Sequence, residues 1–298
     1  MKVDELRWFA EVAEREQVTR AAEELHISQP ALSRALARLQ RELGSALFDR
    51  RGRNLRLNRY GEVYLAHVRR ALAELDAGSR AIAELAGAEG GVVSLGFAPT
   101  LSTWLVPALL SRFRERHPGV RFQLHQDAVR QLVDSLHEGG VDLLIAPRPG
   151  DAGLAWRALG SERLQLAVPP GHRLAARRRL RLNEAAGEPF VMLKHAFDLR
   201  DLVEELCRGA GFEPERAFEA EDVASARALV AAGLGVAVVP PLHGSRGEVA
   251  RGAEHVALTD PTATRTIGIV WDRQRYRSPV TELFRAFVLE DGAALAQA

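Results

Sequence analysis

Gln29, Pro30, Ser33, Arg34 and Arg38 recur along one side of a short helical segment, and Leu32, Leu36, Leu39 and Leu43 form the apolar stripe on its other side. With the leucines turned inward, the polar set stands outward. The residue types suit the edges of base pairs: glutamine can read adenine, proline can touch a thymine methyl, and arginine matches guanine or a phosphate. Ser28 precedes the segment as an N-cap. Pro30 sits in the first turn, where a missing N–H costs nothing, and Gly44 ends the helix. Such a helix is built to enter a major groove.

The neighbouring elements must hold it there. Leu6, Phe9, Ala10 and Ala13 repeat at helical spacing and predict an amphipathic helix over residues 4–16. Thr19 is the expected cap of a second helix, Arg20 to Leu25, kept slim by Ala21 and Ala22, and His26-Ile27 makes the turn into the third. Two short helices, a tight turn and a capped third helix compose a helix-turn-helix. Thr19, Arg20 and Ser28 join the five outward residues as candidate contacts to double-stranded DNA. Leu47–Arg50 and Asn54–Leu57 read as strands around Arg51-Gly52-Arg53, a hairpin wing whose Arg50, Arg51 and Arg53 suit phosphates or a narrow minor groove. From Arg34 to Arg59 the arginines Arg34, Arg38, Arg41, Arg50, Arg51, Arg53, Arg56 and Arg59 face only Glu42 and Asp49. A structural three-helix bundle with a solvated arginine face shares the helices and the charge; the wing favours nucleic acid.

The run Thr19-Arg20-Ala21-Ala22-Glu23-Glu24-Leu25-His26-Ile27-Ser28-Gln29-Pro30-Ala31-Leu32-Ser33-Arg34, followed by Leu39, Leu43-Gly44 and Leu47-Phe48-x-Arg50, resembles the LysR-type transcriptional regulators. Val18 stands where that family usually has an aromatic residue, and Asn58-Arg59-Tyr60-Gly61 replaces its common Thr-Glu-Ala-Gly. Asn58 can still cap the following helix. The resemblance implies promoter DNA with dyad symmetry, a small-molecule effector, and assembly as a homodimer and further as a homotetramer. It also implies RNA polymerase as a partner if the protein activates transcription.

Residues 59–86 read as one helix of roughly 40 Å. Leu65, Val68, Leu72, Leu75, Ser79 and Ile82 step by three and four, a heptad seam expected to pair with a second chain. Packing on its own domain is the alternative. Gly87-Ala88-Glu89-Gly90-Gly91 then forms a hinge. The expected division is 1–58 for a winged helix-turn-helix, 59–87 for a linker and dimerisation helix, and 88–298 for a sensing domain.

From Val92 strands alternate with helices, the pattern of a largely parallel α/β sheet. Strands are expected at 92–97, 120–126, 141–146, 163–168, 190–193, 216–220, 236–239 and 266–271. Helices are expected at about 101–117, 129–138, 198–210, 222–232 and 279–290. The return of the last strand and helix gives two lobes, one of about 92–162 and 266–298, the other about 163–265. This is similar to the type 2 periplasmic-binding-protein fold, which the resemblance assigns to effector recognition. Gly209-Ala210-Gly211-Phe212 and the run from Val230 to Pro240 resemble the glutamate synthase activator subgroup, although Lys194 to Asp198 replaces its glycine-containing turn. Ligands of open α/β sheets sit at strand carboxyl ends and helix N-termini. Thr100, Ser102, Thr103, Arg148, His195, Phe197, Val223 and Ser225 fall at those places and suit a carboxylate or other small anion. Helix capping is the competing role for Thr100 and Ser102, core packing for Phe197, and a plain surface position for His195.

Composition bounds the rest. The chain has 298 residues, 47% hydrophobic and 27% charged, with a net charge of +1, as in a globular protein of more than one core. The opening Met1-Lys2-Val3-Asp4-Glu5 is charged where a secretory signal is apolar, and the apolar run Ala228–Pro241 is too short to span a bilayer. A cytoplasmic, membrane-free protein is expected. Cys207 is the single cysteine, so no intramolecular disulfide forms, and a filler role is expected for it. No Gly-x-Ser-x-Gly, His-Glu-x-x-His or phosphate-loop motif occurs, and Gly233-Leu234-Gly235 lacks the rest of a dinucleotide fingerprint. His117, His125 and His137 are scattered. Neither catalysis, a metal nor a cofactor is expected. An enzyme with a DNA-binding appendage, or an α/β domain serving assembly alone, are the competing readings.

Overall fold

Phe9 organises the first core. It lies on α1 (Val3–Arg15) beside Leu6 and Val12, and its ring meets Phe48 edge-on at 5.5 Å and Tyr64 at 5.4 Å. The structure, a computed structural model, describes residues 2–51, 54–85, 90–194, 198–243 and 252–296. These form two compact units, Met1–Gly87 with His137–Gly140, and Ala88–Leu136 with Val141–Ala298.

In the first unit α2 (Val18–Glu24) and α3 (Gln29–Leu43) bury Ala21, Ala22, Leu32, Leu36 and Leu39 against α1. The α2 cap is Gln17, and Thr19 lies inside the first turn rather than at its start, because the helix begins two residues earlier than its polar sequence suggests. At the other end His26 adopts φ 53°, its N–H bonds the carbonyl of Glu23, and the N–H of Ile27 bonds that of Ala22. This left-handed stop turns the chain directly into α3. Strands β1 (Phe48–Arg51) and β2 (Asn54–Leu57) pair antiparallel as a hairpin, and the Leu55 N–H donates to the carbonyl of Glu16 at 2.8 Å. The hairpin is thereby tied to the end of α1. Asn58 caps α4 (Arg59–Leu85) as expected, its Oδ1 accepting from the Gly61 N–H at 3.0 Å. A Cβ on Gly61 would lie 2.1 Å from the Leu47 carbonyl oxygen, so only glycine lets α4 pass this close to the hairpin.

The expected seam of α4 divides. Leu65, Val68 and Leu72 are buried in the winged domain's own core, while Leu75, Ser79 and Ile82 are exposed. Arg7–Asp76 and Arg69–Glu14 ion pairs, 2.7 and 2.8 Å long, fasten the same face of α4 to α1. The period read from sequence was right, but its first half serves the domain core. A different stripe, Tyr60, Ala71, Leu75 and Ile82, faces outward.

The second unit has two cores. Lobe I is a five-stranded sheet in the order β4-β3-β5-β13-β6, formed by β3 (Val92–Phe97), β4 (Arg121–Gln126), β5 (Leu143–Pro147), β6 (Leu154–Arg163) and β13 (Thr264–Asp272). Helices α5 (Leu105–Arg116), α6 (Val129–Glu138) and α9 (Pro279–Leu295) accompany it. Phe113, Phe122, Phe284 and Phe287 interlock in its core. Lobe II holds β7 (Gln165–Val168), β8 (Arg179–Leu180), β9 (Pro189–Leu193), β10 (Glu215–Ala220), β11 (Ala237–Val239) and β12 (Glu254–Leu258), with α7 (Asp198–Gly209) and α8 (Val223–Ala231).

The sheets are mixed rather than largely parallel. β3 pairs parallel with β4 and β5, but β13 runs antiparallel to both β5 and β6, and β7 antiparallel to β11 and β12. β6, β8 and β12 were not expected: β6 and β12 do not alternate cleanly between buried and exposed, and β8 has only two residues, so a period of two is not visible. β6 and β13 are the crossing strands, and their pairing continues beyond lobe I, with the Leu164 N–H on the Ala263 carbonyl at 2.9 Å.

Candidate functional site

Four buried residues of α3 (Leu32, Ala35, Leu36 and Leu39) fix which side of the helix faces out. Gln29, Pro30 and Arg34 are exposed and Ser33 is half-buried. Ser28 Oγ accepts from the Ala31 N–H at 3.4 Å, and Gln29 Nε2 lies 3.3 Å from Ser33 Oγ, so the amide is held along the helix. Thr19 and Arg20 are also exposed, on the first turn of α2. Arg34 makes no ion pair among the described residues. Arg38 differs from the rest. Its guanidinium pairs with Glu5 of α1, a carboxylate only 4% exposed that also accepts from the Lys2 N–H at 3.3 Å. Burial pushes the Glu5 pKa up, yet the Lys2 N–H and the Arg38 guanidinium outweigh it and leave the carboxyl below its ordinary value. Arg38 therefore braces α3 against α1. Arg50 and Arg51 belong to β1 by backbone. Arg53, expected at the wing tip, lies outside the described residues.

Six of the eight candidate effector residues are described, and their surroundings differ. After β3 the chain makes a 3-10 turn at Pro99–Leu101, held by the Ala98 N–H on the Ile145 carbonyl at 3.1 Å, and α5 starts only at Leu105. Thr100 and Ser102 therefore do not open the long helix. Ser102 Oγ donates to the Pro99 carbonyl at 2.8 Å, which closes the turn, and Thr103 is exposed. Thr100 Oγ1 is buried without a hydrogen-bond partner among the described residues, so it caps nothing. Val223 is a core residue of lobe II, and Ser225 is exposed with its N–H on Asp222 Oδ1 at 2.7 Å. Arg148 lies over the Trp156 ring, 5.7 Å from its centre, and borders a surface cavity of about 600 Å³ with Arg157 and Arg273. His195 and Phe197 lie outside the described residues.

A second set of side chains was missed by sequence reasoning. Glu162 and Arg265 face one another across β6 and β13 where these strands leave lobe I, and both are buried. Arg265 Nε donates to Glu162 Oε1, and His243 Nε2 lies 3.0 Å from Glu162 Oε2. The His243 ring stacks on Trp104, centroids 3.7 Å apart and planes 12° apart. Trp104 in turn packs on the lobe I core and donates its Nε1–H to the Thr100 carbonyl at 3.1 Å. No sequence spacing predicts this set, because strand register brings residues 162 and 265 together and loop closure brings 104 and 243 together.

No grouping of three or more His, Cys, Asp and Glu side chains suited to a metal occurs among the described residues. Burial pushes the Cys207 thiol up to about 12, with Glu204 adding to the shift, as fits a core filler. No helix among the described residues is long and apolar enough to cross a membrane.

Comparison with known proteins matches the geometry in both units. Residues 3–62 match the bacterial regulatory helix-turn-helix protein model of the lysR family, and residues 86–293 match the LysR substrate binding domain. The chain is 40% identical, over 97% of its length and 98% of the relative's, to the uncharacterized HTH-type transcriptional regulator YybE of Bacillus subtilis. To the transcriptional dual regulator GltC of the same organism it is 33% identical, over 100% and 99% of the two chains. Among solved structures, full-length CbnR complexed with its target DNA superimposes with a TM-score of 0.71 at 23% identity, covering 97% of this chain and 99% of that one. The effector binding domain of QuiR in complex with shikimate superimposes at 0.64 and 22%, covering 69% and 98%. A winged helix-turn-helix with an outward polar face, a long helix and a two-lobed α/β unit, matched in that order along the whole chain, place this protein in the LysR family: it is a LysR-type transcriptional regulator, with a DNA-binding helix-turn-helix and an effector-binding domain.

Proposed function

We propose that α3 reads promoter DNA through Gln29, Pro30, Ser33 and Arg34, with Thr19, Arg20 and Ser28 at its phosphates and the Arg50, Arg51 and Arg53 wing beside it. One observation carries this reading: the buried stripe of α3 fixes the polar side outward, where a groove can take it. CbnR has been seen on its target DNA, which supports the same use of the fold here. The working division is 1–58 for DNA, 59–87 for dimerisation and 88–298 for the effector, which the break between the two compact units at Gly87 supports. The protein acts in the cytoplasm as a homodimer or homotetramer on a dyad-symmetric site, without catalysis, and with RNA polymerase where it activates.

The effector is a small anion held between the lobes near Thr100. The buried, unpartnered Thr100 hydroxyl supports this, since a native structure rarely leaves such a group without a partner. The shikimate complex of QuiR fits the same reading. Thr100→Val tests it. The variant removes a hydroxyl that bonds nothing among the described residues, so the melting temperature should stay level or rise. The effector dose response at the promoter should weaken by about 2- to 10-fold, the loss of one hydrogen bond. A lower melting temperature with an unaltered dose response would give Thr100 a structural role and move the effector elsewhere.

A further inference from the structure

The buried charges where the crossing strands leave lobe I do not balance. Glu162 is 6% exposed and Arg265 is 5% exposed. Arg265 gives Nε to Glu162 and leaves Nη2 buried with no acceptor among the described residues. Arg227 of α8 gives Nη2 to the Pro240 carbonyl at 2.6 Å and leaves its Nε in the same condition, as does His255 with Nε2. These groups sense one another: burial lowers the Arg227 pKa to about 10, with Glu162 opposing and Arg265 adding to the shift, and burial with Arg227 lowers that of His255. Arg227 stays charged at neutral pH. Asp198, the other carboxylate that senses Arg265, is raised by burial and is the weaker counter-charge. Among the described residues Arg265 thus has one buried carboxylate as its hydrogen-bond partner, Arg227 has only a carbonyl, and two buried guanidinium nitrogens, Arg265 Nη2 and Arg227 Nε, lack acceptors. Leaving a buried donor unsatisfied is costly, more so for a charged one, and an oxyanion supplies what is missing.

We propose that this junction is an anion subsite, in which a carboxylate-class oxyanion accepts hydrogen bonds from Arg265 Nη2 and Arg227 Nε. The proposal rests on the reading of residues 88–298 as the effector-binding domain and names the groups that hold the effector's charge. It also supplies a readout. Glu162 holds Arg265 with one oxygen and His243 with the other, and His243 stacks on Trp104 of lobe I. An anion that draws on Arg265 changes the hold of Glu162 on His243 and is felt at the Trp104 stack.

The test uses the full-length protein at constant ionic strength, titrated with acetate, succinate, benzoate and inorganic phosphate, and in parallel with acetamide, succinamide and benzamide. Thermal unfolding and tryptophan fluorescence are followed together. At least one anion should raise the melting temperature saturably and alter fluorescence, while its amide does neither. Arg265→Gln should weaken that anion about 10-fold or more, the loss of a charged hydrogen bond. Glu162→Gln removes the competing carboxylate and should tighten binding severalfold, so the proposal stays testable if Arg265→Gln fails to fold. His243→Phe should retain binding and lose the fluorescence change. Binding that survives unchanged in both Arg265→Gln and Glu162→Gln, yet weakens in Thr100→Val, would leave the effector reading standing and overturn the subsite. Equal binding of anion and amide would overturn it too. Absence of saturable binding by every anion and amide would overturn the subsite and count against the effector reading as well.

Discussion

At the scale of single residues, the two arginines on α3 have opposite tasks. Arg38 neutralises a carboxylate that burial would otherwise make costly, whereas Arg34 stands in solvent with its guanidinium unpaired among the described residues. Arg38→Ala should lower stability by about 1–3 kcal/mol, the penalty for leaving a buried charged group short of a partner. Glu5→Gln combined with Arg38→Ala should recover part of that loss. Denaturant unfolding of the single and double variants measures the coupling, and additive losses would mean the pair is not the brace described. Glu282 offers a second test. Hydrogen bonds from Arg285, reinforced by Arg277, hold its carboxyl down to about 2 against an ordinary 4.5. The depressed group stabilises the fold at neutral pH and loses that contribution as pH falls from about 4.5 through 2. Glu282 is partly exposed, so solvent screens the effect. The melting temperature of the wild type should fall more steeply than that of Glu282→Gln across that window; parallel curves would contradict the pairing.

At the scale of elements, helices were legible where composition and period agree. The leucine stripe of α3, Ser28 and Gly44 placed that helix almost to the residue. Hydrophobic period could not say which surface a stripe covers. Leu65, Val68 and Leu72 have the spacing of a dimer seam and yet close the core of their own domain, because α1 lies alongside them. The revised stripe has its own consequence. Leu75 is 50% exposed and Ile82 is 70% exposed, both on the outward side of α4. Leu75→Asp with Ile82→Asp should leave monomer unfolding near normal and dissociate the dimer, seen as a halved mass in light scattering. Leu72→Asp should instead destabilise the winged domain itself. Should the Leu75/Ile82 pair of changes leave the mass unaltered, the outward stripe is not the dimer face. The crossing strand β6 was missed for a related reason: a strand whose exposure alternates irregularly carries no period-two signal.

At the scale of the whole molecule, two units with separate cores meet two different ligands. The order of domains was legible from charge and motif in the first sixty residues and from alternating strands and helices beyond residue 92. The effector site was the least legible part. Among the six candidates that are described, only Thr100 has a buried polar atom without a partner, and the ion pair at the crossing strands exists only through register. The proposed function rests on the outward side of α3 before any effector acts. The most direct test is the binding of the full-length protein to its own upstream promoter fragment and to a random duplex of equal length, at several salt concentrations, for the wild type and Arg34→Ala. The expected result is a loss of about 1–3 kcal/mol on the promoter fragment, a smaller change on random DNA, and unfolding stability unchanged. Equal losses on both duplexes, or none on either, would contradict the assignment of α3 as the element that reads sequence.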